Sequence, residues 1–123
     1  MEQKTVLIVD DTPENIDLLA GILKPLYTVK AARAGKIGLK IAASAKPPQI
    51  ILLDIKMPEM DGFEVCAELK ANAETAHIPV VFLSADIGAA EKEKGDALGA
   101  VGYLEKPFNV DELLNTVATL LAD

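Results

Sequence analysis

Four short apolar runs divide the chain, and none of them alternates apolar with polar residues. They read VLIV at 6–9, IILL at 50–53, VVFL at 80–83 and VGYL at 101–104. Continuous runs of this length are typical of strands that are buried on both faces, as in a parallel sheet covered by helices. A fifth run, YTVKAA at 27–32, is more polar and predicts a strand at the edge of that sheet.

Apolar residues at helical spacing occupy the segments between these runs. The predicted apolar faces are, helix by helix, Ile16, Leu19, Ala20 and Leu23; Ile37, Ile41 and Ala45; Phe63, Cys66 and Leu69; and Val110, Leu113, Leu114, Val117 and Leu121. The fourth helix, at 89–98, has few large apolar residues. Gly95 inside it costs about 1 kcal/mol relative to Ala. We therefore expect a helix that can shift.

The elements alternate as strand and helix five times, within one predicted domain over residues 1–123. Right-handed crossovers between parallel strands produce a doubly wound α/β sandwich. The flavodoxin-like strand order 2-1-3-4-5 suits five strands of which the second is polar and lies at an edge. The sequence thus predicts an α/β fold with a doubly wound, five-stranded parallel sheet in that order.

Polar residues follow the central strands at their carboxyl ends. Asp10 and Asp11 follow the first strand, Asp54 the third, Ser84 the fourth and Lys106 the fifth. In this strand order, ligands bind beyond the carboxyl ends of strands 1 and 3, where the winding reverses. Clustered carboxylates repel one another unless a cation neutralises them, and hard oxygen ligands suit Mg²⁺. A lysine can supply positive charge to a phosphoryl group, and a serine hydroxyl can donate a hydrogen bond to one of its oxygens. Together with the carboxylates and Mg²⁺, these residues predict phosphoryl transfer to or from an aspartate.

Four motifs carry a resemblance to a known family: VLIVDDTPEN, LLDIKMPEMDG, FLSA and YLEKPF. Their order and spacing resemble the receiver domain of two-component response regulators over essentially the whole chain. The resemblance implies that Asp54 accepts a phosphoryl group and is a ligand of Mg²⁺. It further implies that Asp11 binds the metal directly, Asp10 directly or through water, and Lys56 through its backbone carbonyl.

The same resemblance assigns roles to three residues of the later strands. It implies that Ser84 and Lys106 hold the phosphoryl oxygens and that Tyr103 changes position on activation. It also implies a cis peptide bond between Lys106 and Pro107. The implied partners are a sensor histidine kinase or phosphotransfer protein and a downstream protein or output domain, reached through the face of helix 4, strand 5 and helix 5. A homodimer through that face is also compatible with the family.

The composition of the chain indicates which classes of binding partner and which cellular compartment to expect. The formal net charge is −7, which argues against direct binding of nucleic acid. The apolar run at 6–9 is too short for a signal peptide or a membrane span. The single cysteine excludes an internal disulfide, so we expect a cytoplasmic protein without membrane contact.

Three other functions are alternatives to a phosphorylation-controlled switch. A Mg²⁺-dependent phosphatase with an aspartyl-phosphate intermediate would place a D-x-D pair after the first strand, whereas the acids here are adjacent. A receiver that acts only as an interaction module usually lacks the acceptor or an acidic ligand, and this chain has both. A flavin-binding module would need a phosphate loop less acidic than DDTPEN. As a receiver, the chain would catalyse only its own phosphoryl transfer and dephosphorylation.

Several polar residues near the predicted site have simpler interpretations. Asp61, before Gly62, is predicted to be a helix N-cap, and so is Asn109, with Glu112 completing a capping box. Glu59 is expected to be a solvated loop charge. The remaining candidate ligands, His77 in a loop and Cys66 on an apolar helix face, are expected to be a plain loop residue and a core residue.

Overall fold

The computed structural model describes residues 3–122, in which five parallel strands alternate with five helices. The elements are β1 (Thr5–Val9), α1 (Pro13–Leu23), β2 (Thr28–Ala32), α2 (Gly35–Ala42), β3 (Ile50–Asp54), α3 (Gly62–Ala71), β4 (Val80–Ser84), α4 (Ala89–Ala97), β5 (Gly102–Glu105) and α5 (Val110–Leu120). The strands lie in the order β2-β1-β3-β4-β5, with every neighbouring pair parallel. The predicted fold class and strand order are confirmed.

The sheet separates two hydrophobic layers. Alternate residues of each central strand enter opposite layers, so Ile8 and Leu52 face α1 and α5 while Leu7 and Leu53 face α2 and α3. All residues of β3 and β4 are buried, as their continuous apolar sequences predict. The buried polar residues of the described chain are Asp10, Asp54, Thr75 and Ser84. Three of these four lie at the carboxyl ends of strands, which makes that edge of the sheet chemically distinct.

The predicted apolar face of the second helix is wrong in two of its residues. Because α2 ends at Ala42, Ala45 lies outside the helix and is exposed. Ile37 lies on the outer side of α2 and is 49% exposed. The helix instead turns Gly38 toward the sheet, where a Cβ atom would lie 2.8 Å from Cγ2 of Val9. Small residues let α2 approach the sheet closely. The positions of the large apolar side chains therefore did not indicate which face of α2 is buried.

Both predicted N-caps are present. The Asp61 carboxylate accepts a hydrogen bond from the Glu64 backbone N–H at 2.9 Å, and the Glu64 carboxylate accepts one from the Asp61 N–H at 3.2 Å. This reciprocal capping box fixes the start of α3. At α5, the Asn109 side chain accepts a hydrogen bond from the Glu112 N–H at 2.9 Å, but the return bond from the Asn109 N–H to the Glu112 side chain, which the predicted capping box requires, is not formed. Asp61 therefore has a structural role at the helix start.

Candidate phosphoryl-transfer site

Three carboxylates meet where β1 and β3 end. Asp10 directly follows β1 and is fully buried, and Asp54 is the last residue of β3 and is 4% exposed. With half-buried Asp11, each offers an oxygen that lies within 4.8 Å of the other two. The parallel pairing of β1 with β3 brings these ends together although the residues are more than 40 positions apart. The predicted cluster is therefore present in the fold.

Asp10 is held by neighbours on both of its carboxylate oxygens. Oδ1 accepts a hydrogen bond from the backbone N–H of Thr12 at 2.9 Å. Oδ2 accepts one from Nδ2 of Asn15 at 3.3 Å and lies 3.3 Å from Nζ of Lys106. Sequence reasoning missed Asn15. Its position in the first turn of α1, five residues after Asp10, was the available signal.

Lys106 supplies the positive charge of the site. Its Nζ atom lies 3.2 Å from Oδ1 of Asp54 as well as 3.3 Å from Asp10, so one ammonium group bridges the ends of β1 and β3. The residue follows β5, and its backbone N–H donates to the carbonyl of Ser84 at 2.9 Å. The Lys106–Pro107 bond is cis, as expected. The structure thus places the Lys106 ammonium group beside the carboxylate of Asp54.

The pKa of Asp54 is raised from 3.8 to about 6. Burial is the main cause, and the neighbouring charge of Asp10 adds to it. Lys106 acts in the opposite direction through its charge and its hydrogen bond, but it offsets only part of the increase. A cation placed among the carboxylates would therefore be needed to keep Asp54 fully ionised under mildly acidic conditions.

The donor chemistry of the cluster fits a hard divalent cation. Three carboxylates within 4.8 Å of one another provide oxygen ligands of the kind that Mg²⁺ prefers, together with an excess of negative charge. In residues 3–122 this is the one group of at least three acidic, His or Cys side chains with such spacing. Lys56 lies two residues beyond Asp54 with its side chain exposed, and the role of its carbonyl stays a prediction.

Ser84 ends β4 beside the site, but its hydroxyl is engaged locally. It is 3% exposed, its Oγ donates to the carbonyl of Asp86 at 3.3 Å, and it accepts from the Asp86 N–H at 3.1 Å. These bonds tie the hydroxyl to the loop that leads into α4. A phosphoryl group on Asp54 would have to draw the hydroxyl away from that loop.

Tyr103 is joined to α4. Its hydroxyl donates to the carbonyl of Lys92 at 2.9 Å and to Oδ1 of Asp96 at 2.7 Å, and its ring stacks on Phe82 with 6.1 Å between centroids. Burial and then the Asp96 carboxylate raise its pKa to about 12. Gly95 lies under the ring, where a Cβ atom would be 2.9 Å from Cε1. The glycine that appeared only to weaken α4 thus makes room for Tyr103.

The residues given simpler interpretations are not members of the acidic cluster. Cys66 is buried in the layer between the sheet and α3, and burial raises the pKa of its thiol. His77 and Glu59 are exposed. Within residues 3–122, no helix has the length and apolar character that crossing a membrane requires.

Comparisons with known proteins identify the family of this chain. The family model of the response regulator receiver domain matches residues 6–118. A Vibrio cholerae protein named "Probable cyclic di-GMP phosphodiesterase" is 45% identical over 121 residues, which are 98% of this chain and 27% of that relative. Protein PilH of Pseudomonas aeruginosa is 36% identical over 95% of this chain and 97% of its own length.

Solved structures lead to the same assignment. The chemotaxis protein CheY4 of Vibrio cholerae superposes with a TM-score of 0.90 at 32% identity, covering 97% of this chain and 99% of that one. The chain spans about a quarter of the length of the Vibrio cholerae relative named above, so that protein's name describes more than this segment. The chain belongs to the response regulator receiver domain family.

Proposed function

We propose that this receiver is a phosphorylation-controlled signalling switch with Asp54 as its phosphoryl acceptor. The observation that carries the proposal is the position of Asp54, at the end of β3 between the acidic pair that follows β1 and the ammonium group of Lys106. Receiver domains exchange signals with histidine kinases and output domains. We infer that the donor is a phosphohistidine on a sensor histidine kinase or a phosphotransfer protein.

In the proposed transfer, an oxygen of the ionised Asp54 carboxylate attacks phosphorus in line with the donor nitrogen. The new O–P bond gives an acyl phosphate, and the donor histidine keeps the electron pair of the broken P–N bond. Asp11, Asp54 and the Lys56 carbonyl would hold Mg²⁺ directly, and Asp10 directly or through water. When bound, Mg²⁺ supplies positive charge that favours the ionised carboxylate and offsets the charge of the phosphoryl oxygens.

Lys106 and Ser84 are the groups that would recognise the added phosphoryl. Protein phosphates carry about −1.5 to −2 charges, and Lys106 already lies in contact with the acceptor oxygen. Ser84 would donate to a phosphoryl oxygen after leaving Asp86. Charge-assisted hydrogen bonds contribute about 1.5–3 kcal/mol each. Reversing a 1:99 equilibrium between an active and an inactive conformation requires about 5.5 kcal/mol. Two such bonds would supply much of the shift toward the active state if they formed only in that state.

The movement of Ser84 would reach α4 through the loop that holds Asp86. Tyr103 is hydrogen-bonded to α4, so a displaced loop would alter the contact between this ring and the helix. The face of α4, β5 and α5 would then control a downstream partner, an output domain or a homodimer. Hydrolysis of the acyl phosphate would reset the switch. This proposal includes a cytoplasmic location and no direct contact with nucleic acid or membrane.

Beryllium trifluoride with Mg²⁺, a mimic of the phosphoryl group, tests the proposal by NMR. We expect the backbone amide signals of the loop after β4, of α4 and of Tyr103 to shift in the wild type when both reagents are present. The Asp54→Asn variant should show none of these shifts, whereas Asp61→Asn, which alters a nearby carboxylate in the α3 cap, should retain them. Shifts confined to the acidic cluster would contradict a switch that reaches α4.

A further inference from the structure

Charge is unevenly distributed along this acidic chain. Between Asp17 and Asp54 there is no acidic residue, yet this segment holds six of the 12 lysines and arginines: Lys24, Lys30, Arg33, Lys36, Lys40 and Lys46. All 19 acidic residues therefore lie outside it. Because α2 lies within the basic segment and α3 beyond it, a basic helix packs beside a helix whose outer side is acidic.

A groove of about 500 Å³ separates these two helices. Lys36 and Lys40, which we call the basic row, line one wall, and Glu64 and Glu68, the acidic row, line the other. All four residues are exposed. In the part of the chain that the structure describes, no ion pair within 4 Å involves any of them. The two rows thus remain available to charges from outside the molecule.

We propose that the face formed by α2 and α3 binds a second copy of this chain in a two-fold symmetric dimer. In this dimer the basic row of each copy lies against the acidic row of the other. The spacing of the rows supports this pairing, since the lysines are four residues apart and so are the glutamates. Both rows therefore have the same rise of about 6 Å along their helices.

The charge pattern selects one of the two symmetric arrangements. A two-fold axis that runs along the groove places each α2 over the partner's α3, which brings opposite charges together at the same height. An axis across the groove would place α2 on α2 and bring lysines together. The selected arrangement contains the contact twice and closes on itself, so it forms a dimer rather than a filament.

Leu39 of α2 and Met60, which are both partly buried, also line the groove and add apolar surface to this face. Two short helices present less than the roughly 800 Å² per partner that stable interfaces bury, so the dimer is expected to be weak and to dissociate as salt rises. The arrangement leaves Asp54 and the face of α4, β5 and α5 free. The inference is therefore independent of the proposed function.

Sedimentation equilibrium of the 123-residue chain over a concentration series at low salt tests the dimer. The basic-row variant, Lys36→Glu with Lys40→Glu, is expected to weaken association by about 10- to 100-fold, because attraction becomes repulsion at each symmetric contact. The acidic-row variant is Glu64→Lys with Glu68→Lys. It loses the hydrogen bond from the Asp61 N–H to the Glu64 side chain, but the Asp61 carboxylate still caps α3 by accepting from the backbone N–H of residue 64.

Mixing provides the decisive step. Each variant alone should be monomeric, while an equimolar mixture of the two should form heterodimers, because opposite charges again face each other at both contacts. The matched control, Lys24→Glu with Lys46→Glu, makes the same charge change away from the groove and should dimerise like the wild type. A monomeric wild type, a dimer that persists in the basic-row variant, equal loss in the control, or no recovery on mixing would each overturn the proposal.

Discussion

Nζ of Lys106 lies 3.2 Å from Oδ1 of Asp54, and yet this ion pair does not bring the pKa of Asp54 back to its ordinary range. Burial and the nearby Asp10 raise that pKa to about 6, and the lysine lowers it only in part. The Asp54 carboxylate thus takes up a proton at a higher pH than an ordinary aspartate does. A cation bound nearby would lower this pKa and so increase the fraction of Asp54 that is ionised.

Replacing Lys106 with Met is expected to raise the pKa of Asp54 above about 6, because the substitution removes the cation that lowers it. Carboxyl ¹³C NMR titration of the metal-free protein measures this directly. Lys36→Met, at an exposed lysine on α2, is the matched control and should leave the titration unchanged. An Asp54 titration that does not move in Lys106→Met would contradict the electrostatic account of the site.

Because its pKa is raised, Asp54 is expected to lower the free energy of unfolding as pH rises from about 4 to above about 6. With a pKa of about 6 folded and 3.8 unfolded, the folded state binds more protons between these values. The stabilising contribution is complete below about pH 4 and is lost as pH rises through about 6, a difference of about 3 kcal/mol. We expect Asp54→Asn to unfold at higher urea than the wild type at pH 7 and to lose this advantage near pH 4. An advantage that stays constant with pH would contradict the account.

Gly95 and Tyr103 are predicted to be energetically coupled. In the wild type, Gly95→Ala should destabilise the protein, because the added Cβ would lie 2.9 Å from Cε1 of Tyr103. In a Tyr103→Ala background the same change should stabilise the protein by about 1 kcal/mol through helix propensity. Urea unfolding of the four proteins forms a double-mutant cycle. Equal effects of Gly95→Ala in both backgrounds would refute the packing of Tyr103 on this glycine.

Ser84→Ala should leave Asp54 able to accept a phosphoryl group but weaken the response of α4. The hydroxyl that holds Asp86 is the group that would move to the phosphoryl oxygens. In the beryllium trifluoride experiment, we expect smaller amide shifts in α4 for Ser84→Ala. Ser84→Thr keeps a hydroxyl and should restore them. Full shifts in the alanine variant would remove Ser84 from the switch.

The sequence alone predicted every strand and helix, with strand ends within one residue of those observed. Continuous apolar runs sufficed because the central strands are buried on both faces. The pattern failed at α2, where Gly38 rather than Ile37 faces the sheet. Hydrophobic periodicity identifies the helix face that carries large apolar residues. In α2 the face that contacts the sheet carries Gly38 instead, because the helix approaches Val9 too closely for a larger residue.

The cluster of Asp10, Asp11 and Asp54 was predictable because parallel strands deliver their ends to one edge of the sheet. The hydrogen bonds that neighbouring side chains make around the site were not predictable. The hydrogen bond from Asn15 to Asp10 and the carboxylate of Asp96 at the Tyr103 hydroxyl depend on helix orientation. Helix rotation is set by packing, which a single sequence does not specify at the level of individual side chains.

Intact-protein mass after incubation with acetyl phosphate tests the role of Asp54 most directly. The wild type should gain one phosphoryl group only when Mg²⁺ is present, and Asp61→Asn, in the α3 cap, should behave like it. Asp54→Asn should gain none while remaining folded. An unchanged wild-type mass in the presence of Mg²⁺, or a gain that persists in Asp54→Asn, would contradict the assignment of Asp54 as the phosphoryl acceptor.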